Sequence, residues 1–191
     1  YSSVSEGIEA ATDGQTAILL TDANNYGVAI VSKNITVDFN GKTVTNNAKP
    51  MILVQGSANV VIKNGAIDTG ANWAICAQGS SKLTLSDVTI TGTVARDALL
   101  YVGGSAEVTI GKESALYTTN TSFSQPAIFI GSKTPGDTPK LNIYGHVEGK
   151  QSFAISGNGS YLAKTQINIF DGAVVKSEKV AMFVPQPGEV N

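Results

Sequence analysis

A single cysteine, Cys76, in 191 residues excludes any internal disulfide, so packing alone must hold this chain together. Cys76 sits inside an apolar strand with no second Cys or His beside it, which reads as a small packed hydrophobe rather than a nucleophile or metal ligand. Charge is also scarce: charged residues make up 15% and the net charge is -2, so the basic footprint that nucleic acid or an anionic membrane requires is missing. No apolar run approaches the length of a membrane span, and no membrane insertion is expected. The first residues lack the basic, apolar and small-residue regions of a signal peptide. No stretch has the composition of an interdomain linker, and the length suits one domain with a sizeable core. What is plentiful is Thr, Ser, Asn and Gly, a balance that favours short strands and tight turns over helices.

Those strands repeat. Met51-Ile-Leu-Val-Gln-Gly-Ser57, Ala74-Ile-Cys-Ala-Gln-Gly-Ser80 and Leu99-Leu-Tyr-Val-Gly-Gly-Ser105 are one pattern written three times, each followed by an alternating strand: Val60-Val-Ile62, Leu83-Thr-Leu85, Val108-Thr-Ile110. Equivalent glycines are 23 residues apart from Gly56 to Gly79 and 25 from Gly79 to Gly104. That is too long for a hairpin and suits one turn of a coiled sheet. The fold expected is all-β: a single-stranded right-handed parallel β-helix, or β-solenoid, of about six to seven coils, roughly 30 Å tall at ~4.8 Å per strand. Further coils begin near Ala127, Phe153 and Ala181.

Ser3 or Ser5 is placed to cap a short helix through about Thr12, with Val4, Ile8 and Ala11 on one face; residues 1–14 then form an N-terminal cap and 15–184 the coils. Residues 185–191, polar and without a clear final strand, read as the start of a further repeat or a linker, which suggests an excerpt of a longer protein. In the second strand of each coil, Val37, Ile62, Leu85, Ile110, Ile143 and Ile169 share one parity and are expected in the core. Thr36, Val61, Thr84, Thr109, Asn142 and Asn168 share the other and are expected in water. In the first strand both parities are apolar, so its outer face reads as a stripe unwilling to meet water, available for an oligomer contact. Asn40, Asn64, Asp87 and Asp171 fall where the chain bends and read as a column of turn residues, with Asn40-Gly41 closing the first coil. Extra residues enter at 112–125 and 132–139 and are expected as loops on one face, where binding is usually built.

The segment Ile35-Thr-Val-Asp-Phe-Asn-Gly-Lys-Thr-Val-Thr45 resembles the first full coil of right-handed parallel β-helix domains of the pectate-lyase-like superfamily. More closely, the whole chain, with its helical cap, is similar to β-helix repeat segments of large secreted or wall-attached surface proteins of gut-type bacteria. That resemblance implies an extracellular or cell wall-attached setting and contact with polysaccharide or host-surface glycan. It transfers architecture, because what matches is a coil pattern and not a catalytic signature.

Enzymes of this architecture group acids, bases and often calcium, and glycoside hydrolysis needs two carboxyls within about 10 Å. Asp87 and Asp171 share a column but lie about three coils apart, roughly 14 Å, too far to act on one bond. His146 and Arg96 are the sole residues of their kinds. His146 reads as a turn or surface residue without a partner, and Arg96 beside Asp97 as a local ion pair or a clamp for a sugar acid. Asp68, Asp87 and Asp137 lack the order of a calcium loop, and neither a phosphate loop nor zinc spacing is present, so no cofactor and no metal is expected. The remaining candidates are aromatic. If Ile52, Ile75 and Leu100 point inward, Tyr101 and Phe129 face outward on adjacent coils, with Trp73 nearby at a coil start and Phe183 further along, where ring faces could stack on sugars; the opposite parity would put these rings in the core. Trp73, Tyr101, Phe129 and Arg96 are thus the ligand-binding candidates, with no catalytic residue assigned. The expectation is a non-catalytic adhesive or carbohydrate-contacting module of a bacterial surface protein. The alternatives are a polysaccharide lyase or glycoside hydrolase fragment, or a phage tail-spike or fibre segment.

Overall fold

A computed structural model describes residues 1–25, 27–70, 73–93, 98–120 and 125–191. The chain winds into a parallel β-solenoid whose coils have three faces rather than two. The first face is a seven-stranded parallel sheet of Ala29–Val31, Ile52–Val54, Ile75–Ala77, Leu100–Val102, Ile128–Ile130, Ile155–Ser156 and Met182–Phe183, each paired with its equivalent one coil away. The second and third faces belong to one sheet bent at a corner. In the early coils a single long strand serves both: Ile35–Asn46, Asn59–Thr69 and Lys82–Gly92. Later the two faces separate into Glu107–Ile110 and Ala115–Thr118, Lys140–Ile143 and His146–Gly149, Thr165–Ile169 and Val174–Ser177.

The third face differs from the expectation. Asn40-Gly41 does not close the coil; it is the corner from which Ile35–Asn46 continues, and Ala115–Thr118 is a third-face strand inside what reads as an insertion at 112–125. These strands escape notice because Asn40-Gly41 and Asn64-Gly65 carry the sequence signature of a turn that ends a strand. Left-handed residues bend the strand without ending it. Asn40, Asn64 and Asp87 have φ of 52°, 58° and 57°, a conformation that Asn and Asp tolerate better than other side-chain-bearing residues. Asp171 is not in that conformation; Gly172 beside it takes φ 80°.

Inward columns fill the prism. Val37, Ile62, Leu85, Ile110 and Ile143 are buried on the second face, as their parity predicts, and Ile169 in the last coil is half-buried and packs against the cluster. Val44, Ile67, Ile90, Leu116 and Val147 do the same on the third face. Stacked aliphatic side chains at the ~4.8 Å strand spacing leave little empty space, and each contributes about 2 kcal/mol by burial. The outward column of the second face is half-exposed except Asn142, 8% exposed, which sits in a hydrogen-bonded ladder. Asn191 Nδ2 donates to Asn168 Oδ1 (3.0 Å), Asn168 Nδ2 to Asn142 Oδ1 (2.8 Å), and Asn142 Nδ2 to Glu107 Oε1 (2.9 Å).

The helix Val4–Ala10 covers the first coil. Ser3 is the N-cap, its Oγ accepting from the Glu6 N–H at 3.1 Å, and Val4, Ile8 and Ala11 are buried against the coil as expected. Lys33 Nζ donates to the carbonyls of Ala11 and Glu9, satisfying acceptors at the helix's C-terminal end. At the other end Gly188–Val190 pairs with Thr165–Ile169, so the polar tail that reads as strandless joins the sheet. Among the described residues no helix is long and apolar enough to cross a membrane.

Candidate functional site

On the first face Leu100 and Ile128 point inward and their neighbours Tyr101 and Phe129 point outward, half-buried. The rings do not stand apart. Trp73 and Tyr101 lie 5.3 Å apart between centroids, Tyr101 and Phe129 are stacked at 5.8 Å, and Tyr161 meets Phe129 edge-on at 5.8 Å. A ladder at this spacing has no room for a sugar between its rungs, so these rings stabilise one another. Trp73 carries the Lys49 ammonium 5.1 Å above its ring, and its backbone is left-handed, φ 52°. Arg96 lies outside the described residues. Phe183, 52% exposed, stacks on Phe153 at 5.4 Å, away from the ladder.

Two glycines seat the rings. Gly103 and Gly131 occupy the position that is Gln55 and Gln78 in the earlier coils; a Cβ on Gly103 would lie 2.3 Å from the Tyr101 ring, and one on Gly131 2.7 Å from the Tyr161 ring. Without those carbons the rings fold down over the turn. The Tyr101 hydroxyl then donates to the Gly131 carbonyl at 3.2 Å. Burial, aided by Tyr161, Cys76 and Asp137, pushes its pKa up to about 12. Cys76, 4% exposed in the same outward column, has its thiol pushed up to about 11 by burial, and a protonated thiol is a poor nucleophile.

Beside Tyr101 the turns after the first face form a groove of about 500 Å³. Its floor is the stacked backbone of Gly56, Gly79 and Gly104, all left-handed at φ 69°, 71° and 61°. Ser80 N–H donates to Gly56 O at 2.8 Å and Ser105 N–H to Gly79 O at 2.7 Å, so the sheet's hydrogen bonding continues around the bend. A Cβ on Gly104 would sit 2.7 Å from the Gly79 nitrogen, which is why the repeated phrase ends in glycine. Gln55, Gln78 and Ser80 line the groove with side chains that make no hydrogen bond within the described residues.

The wall is the insertion at residues 131–139, a loop as expected. Ser132 Oγ donates to Asp137 Oδ2 at 2.5 Å and accepts from the Thr134 N–H, while Thr138 N–H donates to Ser105 Oγ at 3.1 Å. The loop is thereby pinned onto the preceding coil with the Asp137 carboxylate on the groove. Lys133, the loop's cation, is turned over the Tyr161 ring at 5.9 Å.

His146, expected without a partner, has two. Its Nε2 lies 3.0 Å from Glu148 Oε2 and its ring meets Tyr117 edge-on at 4.9 Å, on the outer third face, where Lys176 also pairs with Glu148 at 3.2 Å. Strand alternation sets the first of these partners, because residues 146 and 148 point to the same side.

Which parity of the first strand faces outward is left open by its sequence and decided by the structure, and Gln55, Gln78, Ser80 and Asp137 were not singled out as binding groups. Their signal was present: the Gln-Gly-Ser phrase and the Thr-Pro-Gly-Asp-Thr-Pro insertion mark the floor and the wall.

The stacked parallel coils, the three-faced prism and the capping helix decide the family. Residues 6–175 match the family described as right handed beta helix region. The chain belongs to this right-handed β-helix family. No curated protein and no solved structure matches it. Membership in the β-helix family accounts for the coil, while the groove beside Tyr101 is built from this chain's own glycines, glutamines and insertion.

Proposed function

We propose that this β-helix domain is a non-catalytic extracellular module of a bacterial surface protein that contacts a glycan through the groove beside Tyr101. The observation that carries this reading is the groove's lining: unengaged side-chain amides of Gln55 and Gln78, the Ser80 hydroxyl, the Asp137 carboxylate and the edge of one aromatic ring. Sugar hydroxyls are both donors and acceptors, and amides beside a carboxylate match them in both senses. An apolar ring edge beside such groups suits the C–H faces of a pyranose. Among the described residues the lining holds a single carboxylate, Asp137, whereas cleavage of a glycosidic bond uses two. A glycan-array and polysaccharide screen, read for binding and for release of reducing or unsaturated ends, tests the proposal. Binding without product is expected, weakened about tenfold in Asp137→Ala through loss of a charge-assisted hydrogen bond. Release of product by the native domain would overturn the non-catalytic reading, and full binding by the variant would move the contact elsewhere.

A further inference from the structure

We infer that the groove receives the end of an uncharged glycan chain and excludes both the chain interior and uronic acids; this rests on the glycan-contacting reading above. The groove runs along the stack over three successive turns, from Gln55-Gly56 through Gln78-Gly79 to Gly104-Ser105. At the next turn the longer loop at residues 132–139 replaces the short bend of the earlier coils, and its Ser132, Thr134 and Asp137 bound the groove there. The loop is not free to step aside. It is braced internally by Ser132 and Asp137, tied backward by the Thr138 N–H to Ser105 Oγ, and tied forward by the Ala163 N–H to the Ser132 carbonyl at 3.2 Å. A groove closed at one end by a braced wall admits a chain that terminates there, not one that passes through.

The closed end is also where the charge lies. Asp137 is engaged through Oδ2 by Ser132, with the carboxylate at the wall, positioned to accept hydroxyls of a terminal ring. Among the described residues no lysine or arginine lines the groove, and Lys133 is held against Tyr161. A uronate would therefore bring its carboxylate to another carboxylate with no cation between them, which is unfavourable in a partly desolvated site. A neutral ring meets no such opposition.

Titration calorimetry on the whole domain decides the matter, using laminarin, mannan, dextran and xylan, each intact and after partial acid hydrolysis, together with polygalacturonate and alginate. For the neutral polymer that binds, sites per gram are expected to rise by the same factor as the chain is shortened, and neither uronate is expected to bind. Sites per gram unchanged by shortening, or binding of either uronate, would overturn this inference while leaving glycan contact standing. No binding to any of these polymers would overturn both. Replacing residues 133–136 by two glycines lowers the wall while keeping Asp137, and that variant is expected to bind intact polymer with sites per gram independent of chain length. Should it fail to fold, the titration of the native domain is decisive by itself.

Discussion

The first three long coils and the later ones solve the same corner differently. In Ile35–Asn46, Asn59–Thr69 and Lys82–Gly92 the strand passes through the bend unbroken, pivoting on one left-handed Asn or Asp. After residue 107 the strand breaks in two. The corner becomes Gly111-Lys112-Glu113-Ser114, and a Cβ on Gly145 in the next coil would lie 2.2 Å from the Ser114 carbonyl. The early coils bury their inward side chains almost completely, whereas the last one leaves Ile169 and Val175 partly covered. Regular coils supply a close-packed, mutually templated stack, and irregular ones supply the shapes from which recognition is built. The groove lies where the two meet: its floor comes from the regular turns and its wall from the first large departure.

Charge placed in the core gives the largest test of that contrast. Leu85→Asp, in a fully buried regular position, is expected to cost on the order of 4 kcal/mol in urea unfolding, since an unpaired carboxylate in the core has nothing to offset its desolvation. Ile169→Asp, half-buried near the open end, is expected to cost about half as much, and Thr84→Asp on the outer face under about 1 kcal/mol. Equal losses at Leu85 and Ile169 would break the distinction between the two regions.

Glycine substitution sharpens it at smaller scale. Gly79→Ala is expected to lose ~3 kcal/mol, because φ is +71° and the new Cβ would lie 2.9 Å from the Gly56 carbonyl of the coil below. Gly172→Ala, equally left-handed at φ +80° but with nothing within 4 Å, is expected to lose ~1 kcal/mol. The difference between the two melts reports the cost of coil-on-coil contact separately from backbone strain.

The smallest effect belongs to the first corner. Burial raises the Asp38 pKa, but the Asn40 N–H (2.8 Å), Asn64 Nδ2 (3.1 Å) and the Lys63 ammonium (3.2 Å) outweigh it, and the net direction is downward. A carboxylate favoured in the folded chain contributes stability above the ordinary aspartate value of 3.8, and that contribution fades as pH falls through the lowered folded value. Asp38→Asn is therefore expected to lower stability at neutral pH and to flatten its decline in acid, measured by urea unfolding across that range. An acid limb identical to the native one would remove Asp38 from the corner's energetics.

Much of this was legible beforehand, for particular reasons. The Gln-Gly-Ser phrase and the Val/Ile/Leu alternation announce a solenoid because each coil repeats the same steric problem, and the parity of Thr109 against Ile110 assigns core and surface without any tertiary knowledge. The third face was hidden because Asn40-Gly41 and Asn64-Gly65 carry the signature of a turn that ends a strand, whereas here they bend a strand that carries on, and Asp87 makes the same bend with no glycine beside it. The partners of His146 were hidden in part because Tyr117 belongs to another coil, and such contacts depend on register that period alone does not specify.

The sequence by itself determined the coil, the direction in which the second strand's side chains point and the presence of an insertion at residues 132–139, since these follow from period-two alternation and local turn chemistry. Only the tertiary structure decided that Tyr101 and Phe129 stack on each other on the outer side of the first face, and that Gln55, Gln78 and Asp137 share one groove. Residues from different coils become neighbours through the ~4.8 Å stacking of strands, and whether they meet face to face or leave a space depends on the glycines beneath them and on where a loop is tied down.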